Sequence, residues 1–355
     1  MKSVMLDGRL LRYDRAGIGR YIWRLQEALA GFPQTDFSVK LLVDGFETKS
    51  SRSALPTKRV MVPARHRAER FLLPMQLRGA SLVHWPDHGI PEGFDGPSIV
   101  TVHDLSFLTH PHTHSGRSLD HYQVAVRSLR KAEGVIAVSE YVRSRLLEHE
   151  IANASRITVV PEAAGLPTVE FPHNERVWPT PFVLMVGTIQ PRKNIVAACR
   201  AFSQSTFSRE GRLLLVGSLG FCGSQIVRAV QSENPSGRVR FIGRVSDSVL
   251  ARLFQQAEFV LVPSLDEGFG LSALESMSCA TPVIAANAGA LPELVDNGAL
   301  LVDPEVLEDI TAAIDRVAGD SEFRTSLGER GRLRALCFTW ERTTRETLAF
   351  YRTLV

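Results

Sequence analysis

Two carboxylates eight positions apart, Glu267 and Glu275, enclose the run Gly268-Phe269-Gly270-Leu271-Ser272-Ala273-Leu274. Gly268 and Gly270 let a backbone come close to a ligand, and the N–H groups that open a helix lack partners within it, so they point at an anion or a sugar oxygen. Carboxylates repel a diphosphate but accept hydrogen bonds from hydroxyls, which makes a sugar and a ribose the suitable partners for Glu267 and Glu275. A second run, Gly187-Thr188-Ile189-Gln190-Pro191-Arg192-Lys193-Asn194, carries two adjacent cations able to neutralise a diphosphate. At a helix start those cations would oppose the helix dipole, so they have no local stabilising reason to be there. In the first half of the chain, Gly17-Ile18-Gly19-Arg20 precedes a helical run, and His103-Asp104 ends an apolar one. A lone Gly-x-Gly carries little weight by itself. His103 sits where a titrating side chain could serve chemistry, whereas His110, His112 and His114 read as structural.

The elements that must position these residues follow from hydrophobic patterning. Apolar runs at 3–6, 39–43, 82–84, 98–102, 135–138 and 157–160 alternate with segments of helical period, which predicts parallel strands joined by crossover helices. A second set runs at 182–186, 212–216, 239–242, 259–262, 283–285 and 299–302, with helices over 195–202 and 248–256 between them. The stretch 161–181 holds five prolines, which stiffen the chain and continue neither helix nor central strand. The expected organisation is a first domain over 1–165, a linker over 166–181 and a second domain over 182–340. A terminal helix over 341–355 is expected to return to the first domain. Ser139 is expected to cap a helix over 140–147, and the glycine loop at 268–270 to lead into a helix starting near 269 and ending near 280. Ligands of open α/β sheets bind at the carboxyl ends of strands, and each chemistry-bearing motif follows a strand.

Read with Pro263-Ser264 before it, the run from Met277 to Ala285 after it and Leu291-Pro292-Glu293-Leu294-Val295 beyond, the paired-glutamate motif resembles the donor-site signature of the family 4 retaining glycosyltransferases. The stretch His103-Asp104-Leu105-Ser106-Phe107-Leu108-Thr109-His110-Pro111 is similar to bacterial mannosyltransferase-like members. The resemblance covers most of the chain, strongest over 182–304 and weakest over 45–80. It implies the GT-B fold, two Rossmann-like doubly wound α/β domains facing across a cleft. It also implies retaining transfer of a hexose from a nucleoside-diphosphate sugar, GDP-mannose or a related donor, to a saccharide or lipid-linked acceptor in polysaccharide, lipopolysaccharide or glycoconjugate synthesis. Under the same resemblance Glu267 accepts hydrogen bonds from donor-sugar hydroxyls and Glu275 binds the ribose. The backbone at Gly268, Phe269, Gly270 and Leu271 touches sugar and phosphate. Lys193 and an arginine hold the leaving diphosphate; many relatives carry that arginine where this chain has Thr188, so Arg192 is expected to substitute. Gly187, Thr188 and Arg244 belong to the donor side, Gly17 and Gly19 face the diphosphate, and His103 lies in the sugar pocket near the reacting centre. His103, Glu267, Arg192 and Lys193 are thus the expected catalytic set. Where other relatives have Asn-Gly, this chain has Pro161-Glu162-Ala163-Ala164, and Glu162 receives no role.

No two aspartates are separated by one residue, so the Asp-x-Asp metal clamp of the other large glycosyltransferase class is missing, and no metal or cofactor is expected. Charge on the leaving diphosphate would then rest on Lys193, Arg192 and helix-start N–H groups. Rival readings are a nucleotide-sugar epimerase and a non-catalytic sugar-nucleotide-binding protein on the same fold. A dinucleotide oxidoreductase would need a third glycine that Gly17-Ile18-Gly19 lacks. The net charge is +3, with 22 Lys+Arg against 17 Asp+Glu over 1–165 and 19 against 21 over 166–355, too mild an asymmetry for nucleic acid. Arg65, Arg67, Arg70 and Arg78 around Phe71-Leu72-Leu73 are expected to approach an anionic membrane. No run is long and apolar enough to span a bilayer and the start is too short for a secretion signal, so a cytoplasmic location, at the inner membrane face, is expected. The cysteines 199, 222, 279 and 337 read as reduced, buried and structural.

Overall fold

A computed structural model describes residues 2–12, 17–46, 53–87, 89–167, 176–234 and 236–355. Along the chain come β1 (Lys2–Asp7), α1 (Ile18–Ala30), β2 (Phe37–Asp44), β3 (Thr57–Val60), α2 (Glu69–Gln76), β4 (Leu82–Trp85), β5 (Ser98–Val102), α3 (Ser106–Thr109), α4 (Gly116–Leu129), β6 (Gly134–Ala137), α5 (Glu140–Glu148) and β7 (Ile157–Val159). There follow β8 (Phe182–Val186), α6 (Ile195–Gln204), β9 (Arg212–Val216), α7 (Gly223–Ser232), β10 (Val239–Gly243), α8 (Asp247–Gln256), β11 (Phe259–Val262), α9 (Leu271–Ser278), β12 (Val283–Ala286), α10 (Leu291–Val295), β13 (Leu300–Val302), α11 (Leu307–Gly319), α12 (Ser321–Ala335) and α13 (Trp340–Leu354).

The chain forms two compact units. One comprises Met1–Leu105, Gly116–Gly165 and Thr339–Val355, the other Ser106–Ser115 and Leu166–Phe338. The first holds a seven-stranded sheet in the order β3-β2-β1-β4-β5-β6-β7, every pairing parallel. Central strands of such a sheet are covered on both faces, which is why β5 and β6 are buried throughout and why β5 admits only the small polar side chains of Ser98 and Thr101 among its apolar ones. The edge strand β3, Thr-Lys-Arg-Val, has only its last residue buried, and its polar composition kept it invisible to patterning. Helix α1 buries Tyr21, Ile22, Leu25 and Leu29 in the same core that receives Leu348 and Tyr351 of α13. Ser139 accepts a hydrogen bond from the Val142 N–H and so caps α5.

The second sheet, β10-β9-β8-β11-β12-β13, is also parallel throughout and repeats the permutation of the first. Its strand order reverses between β8 and β11, the place where open sheets bind ligands. The short segment Ser106–Ser115, which patterning leaves in the first domain, groups with this unit. Part of the proline-rich linker, 168–175, lies outside the described residues. Helix α9 begins at Leu271, later than expected, because Gly270 holds a left-handed φ of 105° that a helix excludes. It ends at Ser278, and Ala280, with φ 56°, turns the chain away two residues on. Of the cysteines only Cys199 is buried; Cys222 and Cys279 are half-buried, and Cys337, two residues past the end of α12, is exposed. No helix among the described residues is long and apolar enough to cross a membrane.

Candidate functional site

At the reversal point of the second sheet, the loop after β8 and the loop after β11 meet through side chains. Lys193 Nζ pairs with Glu267 Oε1, Arg192 Nη1 lies 2.9 Å from Glu267 Oε2 and also donates to the Asp266 carbonyl, and Ser264 Oγ donates to Glu267 Oε1 at 2.7 Å. The Leu265 N–H donates to the Arg192 carbonyl at 2.9 Å, so the two loops are joined by backbone as well. Glu267 is 7% exposed. Burial alone would push its carboxyl up, but the charges of Lys193 and Arg192, with hydrogen bonds from Lys193 and Ser264, outweigh that and hold it down at about 2. The anionic form of Glu267 is therefore built into the fold, and each of its oxygens already faces a cation.

Arg192 is turned inward and 9% exposed, and its guanidinium is paired with Glu267, a partner that spacing did not indicate. Thr188 leaves no second arginine on this loop. Lys193 is the cation whose ammonium, with three donors, can serve a carboxylate and a phosphate at once. Gly187, Thr188, Lys193, Pro263 and Ser264 line a narrow opening between the ends of β8 and β11. Beside it the chain after β9 passes so close to Gly187 that only glycine fits at Gly217, where a Cβ would stand 1.9 Å from the Gly187 carbonyl oxygen.

Beyond Glu267 the chain enters α9 through Gly268, Phe269 and Gly270. The Phe269 ring is buried and meets Phe338 edge-on at 5.9 Å, so what this residue offers a ligand is its backbone. Gly270 is the N-cap residue of α9 and, having no side chain, leaves the first N–H groups of the helix without a side-chain cap. Glu275, the fifth residue of α9, is 3% exposed, and burial, with the Glu275 charge second, pushes the neighbouring Cys279 thiol up to about 11. Arg244 is exposed just past the edge strand β10, separated from β8 by β9.

Patterning overlooked the partners of this cluster. Asp266, 2% exposed, accepts a hydrogen bond from Thr109 Oγ1 and lies 3.5 Å from His110 Nδ1, so the short segment from the first half of the chain touches the residue next to Glu267. Ser264 was visible only as part of the flanking Pro-Ser. Among the described residues no group of three or more His, Cys, Asp and Glu is placed to hold a metal ion.

In the first unit, Gly17 is the N-cap residue of α1, its carbonyl accepting from the Arg20 and Tyr21 N–H groups, and Gly19 is buried in the first turn. His103 follows β5. Its Nδ1 lies 2.6 Å from Glu162 Oε1 and its Nε2 2.9 Å from the Pro86 carbonyl, so both ring nitrogens are engaged. Glu162 is the residue to which the sequence assigned no role; its place after the last strand of a parallel sheet was the available signal. Arg65, Arg67, Arg70 and Arg78 are exposed, as are Phe71 and Leu72, whereas Leu73 is fully buried because it occupies the inward face of α2.

Two parallel sheets of one permutation, each with its polar motifs at the carboxyl ends of its strands, define an α/β protein of two Rossmann-like domains. Residues 152–334 match the model of the glycosyl transferases group 1 family and residues 15–164 that of glycosyltransferase family 4. The chain belongs to the group 1 glycosyltransferases, with the family 4 type of first domain. It is 28% identical over 377 aligned positions to O-antigen chain mannosyltransferase B of Escherichia coli, covering 97% of this chain and 98% of that one. Sucrose-phosphate synthase from Thermosynechococcus elongatus shares its fold with a TM-score of 0.78 at 24% identity, covering 100% of this chain and 99% of that one. HepE of Anabaena, in complex with UDP and glucose, does so at 0.74 and 16%, with both chains covered in full. These likenesses establish the GT-B fold.

Proposed function

We propose that this glycosyltransferase moves a hexose, mannose from GDP-mannose, to a saccharide or lipid-linked acceptor in polysaccharide or lipopolysaccharide synthesis, with retention of configuration. The observation that carries the reading is the Lys193–Glu267–Arg192 cluster at the reversal point of the second sheet. A carboxylate kept ionised beside a lysine offers hydroxyl acceptors and a phosphate-binding cation within one pocket. The mannosyltransferase name of the Escherichia coli relative supports the sugar, and the UDP held by HepE supports a nucleotide-linked donor. Glu267 takes the sugar hydroxyls, Glu275 the ribose, and the backbone from Gly268 to Leu271 the phosphate and sugar. Lys193 carries the charge that develops on the departing diphosphate, a role that needs no metal. His103 is the first unit's member of the proposed catalytic set. A thermal-shift panel of GDP, UDP, ADP and dTDP tests the base, because a ligand bound to the folded state raises its apparent stability. Release of nucleoside diphosphate that requires an acceptor tests transfer, and indifference of that release to EDTA tests the absence of a metal. Stabilisation by none of the four nucleotides would refute the donor reading.

The acceptor end of the reading draws on the surface around α2. Phe71 and Met75 are each 62% exposed, and Phe46, Met61 and Leu72 are exposed nearby; the Met61 N–H donates to Gln76 Oε1, which sets the chain after β3 beside α2. Glu69 pairs with Arg9 at 2.6 Å and Asp87 with Arg65 at 2.6 Å, while Arg67, Arg70 and Arg78 are exposed along the same stretch of chain as the apolar residues. Such a stretch suits an anionic lipid surface carrying the acceptor, at the cytoplasmic face.

A further inference from the structure

We propose that Glu162 is a positioning residue for His103, and that helix α13 holds the loop that carries it. The proposal rests on the reading that His103 serves the sugar site. A carbonyl oxygen only accepts, so His103 Nε2 donates to Pro86, and the short Nδ1 contact to Glu162 means that one proton is held between ring and carboxyl. Pinned at both nitrogens and packed edge-on against the Tyr21 ring at 4.9 Å, the imidazole has a single orientation.

Glu162 is 3% exposed and reaches His103 from a loop that has no strand or helix of its own. Two helices grip that loop by its carbonyls. From α13, Thr343 Oγ1 donates to Pro161 at 2.7 Å and Trp340 Nε1 to Ala164 at 2.9 Å. From α1, Arg24 donates to Gly165 through Nε at 2.9 Å and Nη2 at 2.7 Å. Every carbonyl used belongs to a residue flanking Glu162 within three positions, so the last helix of the chain fixes a side chain that in turn fixes His103. A loop whose carbonyls were left to water would keep its fold but lose that register.

The variants Glu162→Ala, Glu162→Gln and Trp340→Phe separate position from charge. The amide in Glu162→Gln can donate to Nδ1 while Nε2 still donates to Pro86, so it preserves orientation without the carboxylate. With GDP release from GDP-mannose as the readout, Glu162→Ala is expected to lower kcat at least about tenfold with donor KM within about twofold, and Glu162→Gln to restore kcat to within about threefold. Trp340→Phe keeps the ring and removes its donor, and is expected to fall between. A readout independent of donor identity is the His103 ring signal in nitrogen-15 spectra, assigned by its loss in His103→Gln: a slowly exchanging Nε2 proton in the parent and in Glu162→Gln, lost in Glu162→Ala. Equal kcat in Glu162→Ala and Glu162→Gln, or an unchanged ring signal in Glu162→Ala, overturns the proposal. Normal turnover in His103→Ala would refute the reading of the site itself, whereas loss there with none in Glu162→Ala would refute this inference alone.

Discussion

Replacing Glu267 by glutamine removes a carboxylate that two cations were folded to meet. Its carboxyl, which ordinarily titrates near 4.5, is held at about 2. At about 1.4 kcal/mol per pH unit the ionised form is favoured by the fold by about 3 kcal/mol, an amount that falls in the range for breaking a buried ion pair from one side. In Glu267→Gln, Arg192 and Lys193 face a neutral amide while 11% and 17% of their side chains are exposed, so solvent repays little. The unit of Ser106–Ser115 and Leu166–Phe338 should therefore melt lower by about 6–12 °C at pH 7, on the scale appropriate to its size. The sign with pH is fixed. A depressed carboxyl contributes stability that is present above its unfolded value near 4.5 and lost as pH falls towards 2, so the gap between parent and variant should be full above about pH 5 and close below it. Scanning calorimetry across pH 3–8 measures this. Nucleoside diphosphate binding should survive in Glu267→Gln, since its cations are freed, while turnover falls, because a sugar contact that strengthens in the transition state appears in the rate. A variant that melts with the parent at pH 7, or a gap that does not narrow in acid, would refute the electrostatic account. Loss of diphosphate binding would refute the assignment of Glu267 to the sugar.

Glu275→Gln should weaken nucleoside diphosphate binding by roughly 1–3 kcal/mol in calorimetry if ribose hydroxyl contacts are lost, and equal affinities would remove Glu275 from the site. Gly217→Ala places a Cβ 1.9 Å from the Gly187 oxygen at a φ of 153°, and should cost about 2–4 kcal/mol in a urea melt, an unchanged midpoint being the adverse result. Phe71→Ser with Met75→Ser should abolish flotation with acidic vesicles at low salt while nucleotide binding is unchanged; flotation equal to the parent, or none by the parent, would dispose of the α2 surface.

What the sequence determined by itself is whatever local patterning and spacing encode. Alternation of apolar runs with helical period specified twelve of the parallel strands, because strands of a sheet covered by helices are rich in apolar residues, and the glycines of the 267–275 run marked a loop between a strand and a helix. It could not specify the edge strand β3, where half the surface faces water, nor the transfer of Ser106–Ser115 to the second unit. Only the tertiary structure showed that Arg192 pairs with Glu267. Whether a cation meets a phosphate or a carboxylate depends on a partner 75 positions away, and Coulomb energy follows distance in space and burial. The same holds for Glu162, 59 positions from His103, and for the terminal helix, whose side chains grip carbonyls about 180 positions earlier. Periodicity shows which face of α13 is apolar, and a core that closes decides which loop that face comes to hold.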